Sequence, residues 1–216
     1  METTHSKNSG EERFDVAKIF RRETWCIGES AFAVLLLLIG TSMLDGFYGS
    51  YYNLNQLVFD AFDAPVSIIG IFFGASYAVN ATAYIAADFF SSRFGKRNTM
   101  LGSMLIEAGL FMILPWFASN PLCLFGLSMA LCFLPEVVYI TSENLIQDAI
   151  ADDLRATVLS VASLVRTLFS AMFFSIFGYV LGLYPIQIAL GVIGAIAIAI
   201  TAVVSLKMVG IHVSKN

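Results

Sequence analysis

PVSIIGIFFGASYAVNATAYIAADFFSSRFGKR, residues 65–97, is an apolar run that closes on three basic side chains, Arg93, Lys96 and Arg97. About 20 predominantly apolar residues let a helix cross a bilayer, and basic side chains collect where such a span ends in the cytoplasm. The stretch predicts a membrane helix from about Pro65 to Phe90 that enters the cytoplasm at its C-terminal end. Outward from it the pattern repeats, with further apolar segments at about Ala31–Tyr51, Met100–Phe117, Leu122–Tyr139, Ala156–Leu181 and Ile186–Leu206. Of the 12 Lys and Arg, none falls between segments one and two, three and four, or five and six. All but one lie in the N-terminal tail, the two alternate loops and the C-terminal end. The exception, Arg166, falls inside segment five.

Composition agrees. A chain that is 58% hydrophobic and 13% charged does not describe a soluble domain, and six helices with short loops use nearly everything after residue 30. The expected fold is an all-α integral membrane protein with six transmembrane helices, both termini cytoplasmic, in the cell membrane. Residues 1–29 form a cytoplasmic tail, 30–208 the transmembrane domain and 209–216 a second cytoplasmic tail. The polar start lacks the charged-then-apolar order of a signal peptide. Within it, EERFDVAKIFRRETW (11–25) suits either a short interfacial helix or an ordinary charged lead-in. Cys26, Cys123 and Cys132 have no metal or redox spacing and read as packing residues.

Segment two carries Gly70, Gly74, Ala78, Thr82 and Ala86 every four residues, a stripe of small side chains that lets another helix approach closely. Polar groups concentrate in four segments: Thr41, Ser42, Asp45 and Tyr48 in one; Tyr77, Asn80, Thr82 and Tyr84 in two; Glu136 in four; Arg166, Thr167 and Ser170 in five. Segment six reads as a peripheral, lipid-facing helix. Segment three is mostly apolar, with Glu107 as its exception. An ionisable group at depth costs about 2.5–3.5 kcal/mol on insertion scales and needs a partner or water. Glu136 is the expected partner of Arg166, in a salt bridge, as the opposite wall of a wet cavity, or in a purely structural pair. Asp45, placed in the outer third of its segment, either reaches the outer surface or faces a cavity. Glu107 is protonated, paired with Arg166 or set at a contact between halves.

Two stretches resemble the major facilitator superfamily. SSRFGKR is similar to its loop motif G-x-x-x-D-R-x-G-R-R, matched by Arg93, Gly95, Lys96 and Arg97, with Ser92 in place of the aspartate and Asp88 in place of the first glycine. ENLIQDAIADDLRATVLSVASL (143–164) resembles the junction before the eleventh helix in drug-exporter-like members. There an acidic or amide-rich loop, here beginning at Glu143, leads to R-A-T-x-x-S, matched by Arg155, Ala156, Thr157 and Ser160. The resemblance covers all six segments and implies the C-terminal six-helix half of a twelve-helix transporter. It also implies a partner: a second six-helix half, from another copy or a separate chain, since such carriers rock two halves around a midplane site.

The function expected is secondary transport of a small molecule, driven by protons and directed towards efflux of amphipathic compounds. Burial disfavours the charged form of a carboxyl, which suits proton coupling, with Glu136, Asp45 and Glu107 as candidates in that order. Asp45, Tyr48, Asn80, Tyr84, Glu136 and Arg166 are the path candidates. The alternative is a non-catalytic membrane subunit or a transporter fragment. An intramembrane serine protease is disfavoured, because Gly126-Leu127-Ser128 is followed by Met129 and the histidines, His5 and His212, lie in the termini. No phosphate-cradling glycine loop, cofactor or metal site, or nucleic-acid-binding patch is read. The bilayer and a small-molecule substrate are the other partners.

Overall fold

Apolar runs of this length fold as helices because a backbone in lipid must satisfy its polar groups within its own segment. All six segments are helical. The computed structural model describes residues 31–150, 152 and 155–209, apart from the side chains of 31–36 and 207–209. The helices are α1 (Ala31–Ala61), α2 (Val66–Phe94), α3 (Lys96–Phe117), α4 (Pro121–Asp148), α5 (Arg155–Leu183) and α6 (Ile186–Val209). Five of them, α2 to α6, are long and apolar enough to cross a membrane, which is compatible with a multi-pass membrane protein. The expected interfacial helix at 11–25 and most of the C-terminal tail lie outside the described residues.

Two boundaries differ from expectation. α1 runs ten residues past Tyr51, and α4 continues through Thr141–Asp148, which was expected to be loop. Some of their polar side chains turn into the bundle, and the others stay at its surface without breaking the helix. Asn55 is fully buried, and Thr141 donates to the Val137 carbonyl at 2.6 Å. Sharper ends are set locally. Gly95 alone separates α2 from α3, with φ at 83°, a left-handed value that glycine adopts without the Cβ clash of other residues. Asn120 caps α4 by accepting from the N–H groups of Leu122 and Cys123, with Pro121 at the first helical position.

α1, α4, α3 and α6 pack in a ring, with α2 laid on α4 and α5 laid on α1. Side-chain pairings fix an up-and-down order: Tyr51 on α1 meets Ser128 on α4 at 2.7 Å, and Lys96 at the start of α3 meets Asp148 at the end of α4. α1 and α5 therefore run parallel. They approach closely because Gly46 leaves no side chain between them; a Cβ there would lie 2.9 Å from the Phe169 backbone. Phe47 and Phe173 stack beside it with ring centres 3.9 Å apart, and Ser50 reaches the Ser170 carbonyl at 3.3 Å. Gly194 does the same for α6, where a Cβ would meet the Met112 backbone nitrogen at 2.8 Å.

α6 is more enclosed than a peripheral helix would be. In the most apolar stretch of α3, α4 and α6, 39% of residues are buried, against 17% in α2 and 11% in α5. α2 uses Phe72, Ser76, Ala83 and Ala87 against its neighbours, so its small-residue stripe faces outward. A Cβ at Gly70 or Gly74 would meet nothing within 4 Å. Gly46→Val should lower stability by about 1–3 kcal/mol, the usual cost of overpacking, whereas Gly74→Ala should leave it within ~0.5 kcal/mol. Thermal unfolding in detergent micelles measures both, and equal melting temperatures would remove close α1–α5 packing as a constraint.

Candidate functional site

Arg166 sits about 16 Å along α5 from Arg155, in a helix otherwise made of apolar and small polar residues. The glycine-permitted approach of α1 supplies its counter-charge. Asp45 Oδ2 lies 3.1 Å from Arg166 Nε, although the Nε–H is not aligned on it as a hydrogen bond. Glu143 Oε1 lies 3.7 Å from Nη1, and the guanidinium carbon stands 4.1 Å from the centre of the Tyr139 ring. A cation over an aromatic face is attracted by the ring quadrupole, so α4 holds the guanidinium by a ring and a carboxylate. The three charged side chains are between 17% and 27% exposed, enough to shut out most water while leaving one side open.

This corrects the expected pairing with Glu136. Among the described residues, the ion-pair partners of Arg166 are Asp45 and Glu143. A helical side chain leans towards its own N-terminus, so the guanidinium lies nearer the Arg155 end than its Cα and meets Glu143, two turns beyond Glu136. α1 likewise runs further past Asp45 than expected. With α1 extended to Ala61, sixteen residues follow Asp45 in that helix. Glu143 belongs to α4 and not to a loop. Glu136, Tyr139 and Glu143 are spaced three and four apart, the interval of one helix face. That interval is readable in the sequence only if the helix is carried through the polar run that follows Tyr139.

Asp45, Arg166, Tyr139, Thr41, Ser142 and Glu107 line a cavity of about 10 Å³, the room one water needs. Glu107 is 1% exposed, and neither of its carboxyl oxygens has a hydrogen-bond partner. It is brought to the cavity shared with Asp45 and Arg166 because α3, as part of the ring, packs against α4.

The remaining candidates are dispersed. Tyr48 is buried against Tyr52, with ring centres 6.0 Å apart. Asn80 fits with its amide nitrogen donating to the Ser76 and Cys132 carbonyls at 3.2 and 3.0 Å, an α2–α4 tie. Tyr84 is 56% exposed on α2, away from the cluster. The two stretches at the Lys96 end come together. Lys96 pairs with Asp148, and Arg155 donates to the Gln147 carbonyl at 3.2 Å and pairs with Asp152 at 3.0 Å. Arg93 lies over the Phe94 ring at 5.9 Å, and Arg97 has a buried Nε without a partner. Thr157 and Ser160 line a shallow groove on α5, where Ser160 donates to the Ala156 carbonyl at 2.8 Å.

Compared with known proteins, the chain matches no family model, no curated protein and no solved structure.

Arg166→Met should destabilise the bundle by about 2 kcal/mol, between the ~0.2–1 of an exposed pair and the ~3–5 of a buried one, because it leaves two carboxylates facing each other. Asp45→Asn should cost less in the Arg166→Met background than alone. Unfolding of the two single variants and the double variant in micelles reads that coupling; a coupling near zero would mean the two groups are neighbours without interaction.

Proposed function

We propose that this chain is a secondary carrier of the major facilitator type, moving a small molecule across the cell membrane with proton coupling. The observation that carries the reading is the Asp45–Arg166–Glu143 cluster, half-enclosed midway along α1 and α5. Charges at that depth are expensive and characteristically mark substrate, ion or proton paths. The basic Lys96 end is cytoplasmic in this reading, as the positive-inside bias requires. Further support comes from the two stretches that carry the family resemblance, which are joined by Lys96 and Asp148.

A carrier of this type works as two six-helix bundles that rock against each other. α2 and α5 are suited to meet a second bundle because they are the least covered helices. The outward stripe on α2 is matched on α5 by Ser160, Ser163, Thr167, Ala171, Gly178 and Gly182, all exposed. Three hydroxyls there are already satisfied: Ser160 donates to the Ala156 carbonyl at 2.8 Å, Thr167 to Ser163 at 2.9 Å and Ser175 to Ala171 at 2.9 Å. Such faces allow close approach without leaving polar atoms stranded.

Reconstituted in proteoliposomes with a fluorescent amphipathic cation as probe, the chain should give flux that follows an imposed pH gradient and collapses with a protonophore. Glu136→Gln should leave flux that no longer follows pH, and an unchanged pH profile removes Glu136 from coupling. Absence of flux from a purified, folded chain would favour a non-catalytic membrane subunit. For orientation, in a chain whose own cysteines are replaced by serine, Asp63→Cys should react with an impermeant thiol reagent on intact cells. Asn98→Cys should react only after permeabilisation; the opposite pattern would invert the topology.

A further inference from the structure

The Arg166 cluster holds one cation among several carboxyl groups. Asp45 and Glu143 engage the guanidinium, Glu136 lies on the same α4 face, and Glu107 borders the cavity with no hydrogen-bond partner at all. Around Glu107, α1 presents Asp45, α4 presents Tyr139 with Glu136 and Glu143 on either side, and α5 presents Arg166. The titratable groups of α2, namely Tyr77, Tyr84, Asp88 and Arg93, are exposed on its far face, and residues 186–206 of α6 contain none. The lone cation is thus already taken by others. A carboxylate enclosed without a donor or a counter-charge costs several kcal/mol, which a carboxylic acid largely avoids.

The surroundings of Glu107 are asymmetric along α3. Towards the Lys96 end, Ser103 and Thr99 follow at intervals of four residues on the same face, both buried, and the Thr99 hydroxyl has no partner. Each step rises about 6 Å, a gap one water bridges. Towards the other end the buried face is Ala108, Phe111 and Leu114, which offers no hydrogen-bonding group. Along α3, the hydrogen-bonding groups beside Glu107 therefore lead towards the Lys96 end.

We propose that Glu107 is a proton-binding site, loaded and unloaded from the Lys96 end along the Ser103–Thr99 edge of α3 and facing the Asp45–Arg166 pair across the one-water cavity. Loading breaks an O–H bond of a hydronium, forms one at a Glu107 carboxyl oxygen and leaves a neutral water; unloading reverses both changes. The inference rests on the carrier reading only for its purpose, since it adds to Glu136 a second carboxyl on the path of the coupled proton. The binding itself stands apart from transport.

The test is infrared difference spectroscopy of the full chain in lipid nanodiscs, following the protonated-carboxyl stretch with pH and on transfer to D₂O. The wild-type chain should show a band that shifts in D₂O and fades as pH rises. Glu107→Gln should remove it, while Glu107→Asp and Glu136→Gln keep it. Retention of the band by Asp, with loss in Gln, excludes misfolding as the cause. Ser103→Ala should slow deuterium exchange of the band several-fold without moving its pH midpoint. A band unchanged in Glu107→Gln overturns the site, and exchange as fast in Ser103→Ala as in wild type overturns the route. No transport is measured, so a chain that carries nothing still reports on Glu107, and an active carrier without this band refutes the proposal alone.

Discussion

A guanidinium halfway along an apolar helix is the constraint that orders this bundle. Arg166 cannot face hydrocarbon without a cost of about 2.5–3.5 kcal/mol, so α5 has to lie where carboxylates wait for it. Gly46 lets α1 come close enough to offer Asp45 at 3.1 Å. α4, packed on α1, then contributes the Tyr139 ring and Glu143 from the other side. Three helices are tied at one point by charge, whereas most of their remaining contact is apolar packing, such as the stacked Phe47 and Phe173. Apolar contact between helices gives little preference over lipid, so charge supplies the specificity and small residues supply the access.

The six segments and the need of Arg166 for a partner were legible from residue types alone, because hydropathy and the expense of a buried charge are properties of single positions. The identity of the partner was not. It depends on which helices approach, which Gly46 decides, and on the lean of the arginine side chain towards its N-terminus. Helix ends were misread for a related reason. Asn53 and Asn55 in α1, and Ser142, Glu143 and Asn144 in α4, look like loop residues until their surroundings are known. The ten further residues of α1 put sixteen residues, not six, between Asp45 and the end of its helix.

The polarity of a helix also proved a poor guide to its place. α6 is the least polar of the six, yet it is among the most enclosed, and α3, apolar from Ala108 to Phe117, still brings Glu107 to the cluster. α2 and α5 carry many of the polar side chains, yet they are the least covered. Polarity records what a surface will meet, including surfaces outside the chain, whereas burial in one bundle records only what it meets there.

The hydroxyls of α5 have a bearing on how the chain is built. Ser160, Thr167 and Ser175 each bond a carbonyl one turn back, so they impose no penalty on a helix leaving the insertion machinery by itself. Arg166 is different, since its charge is answered from α1. The order of synthesis bears on this: α1 precedes α5 in the chain and is made before it. The ribosome thus delivers the counter-charge four helices ahead of the charge, and a chain whose α1 strayed would strand its own fifth helix.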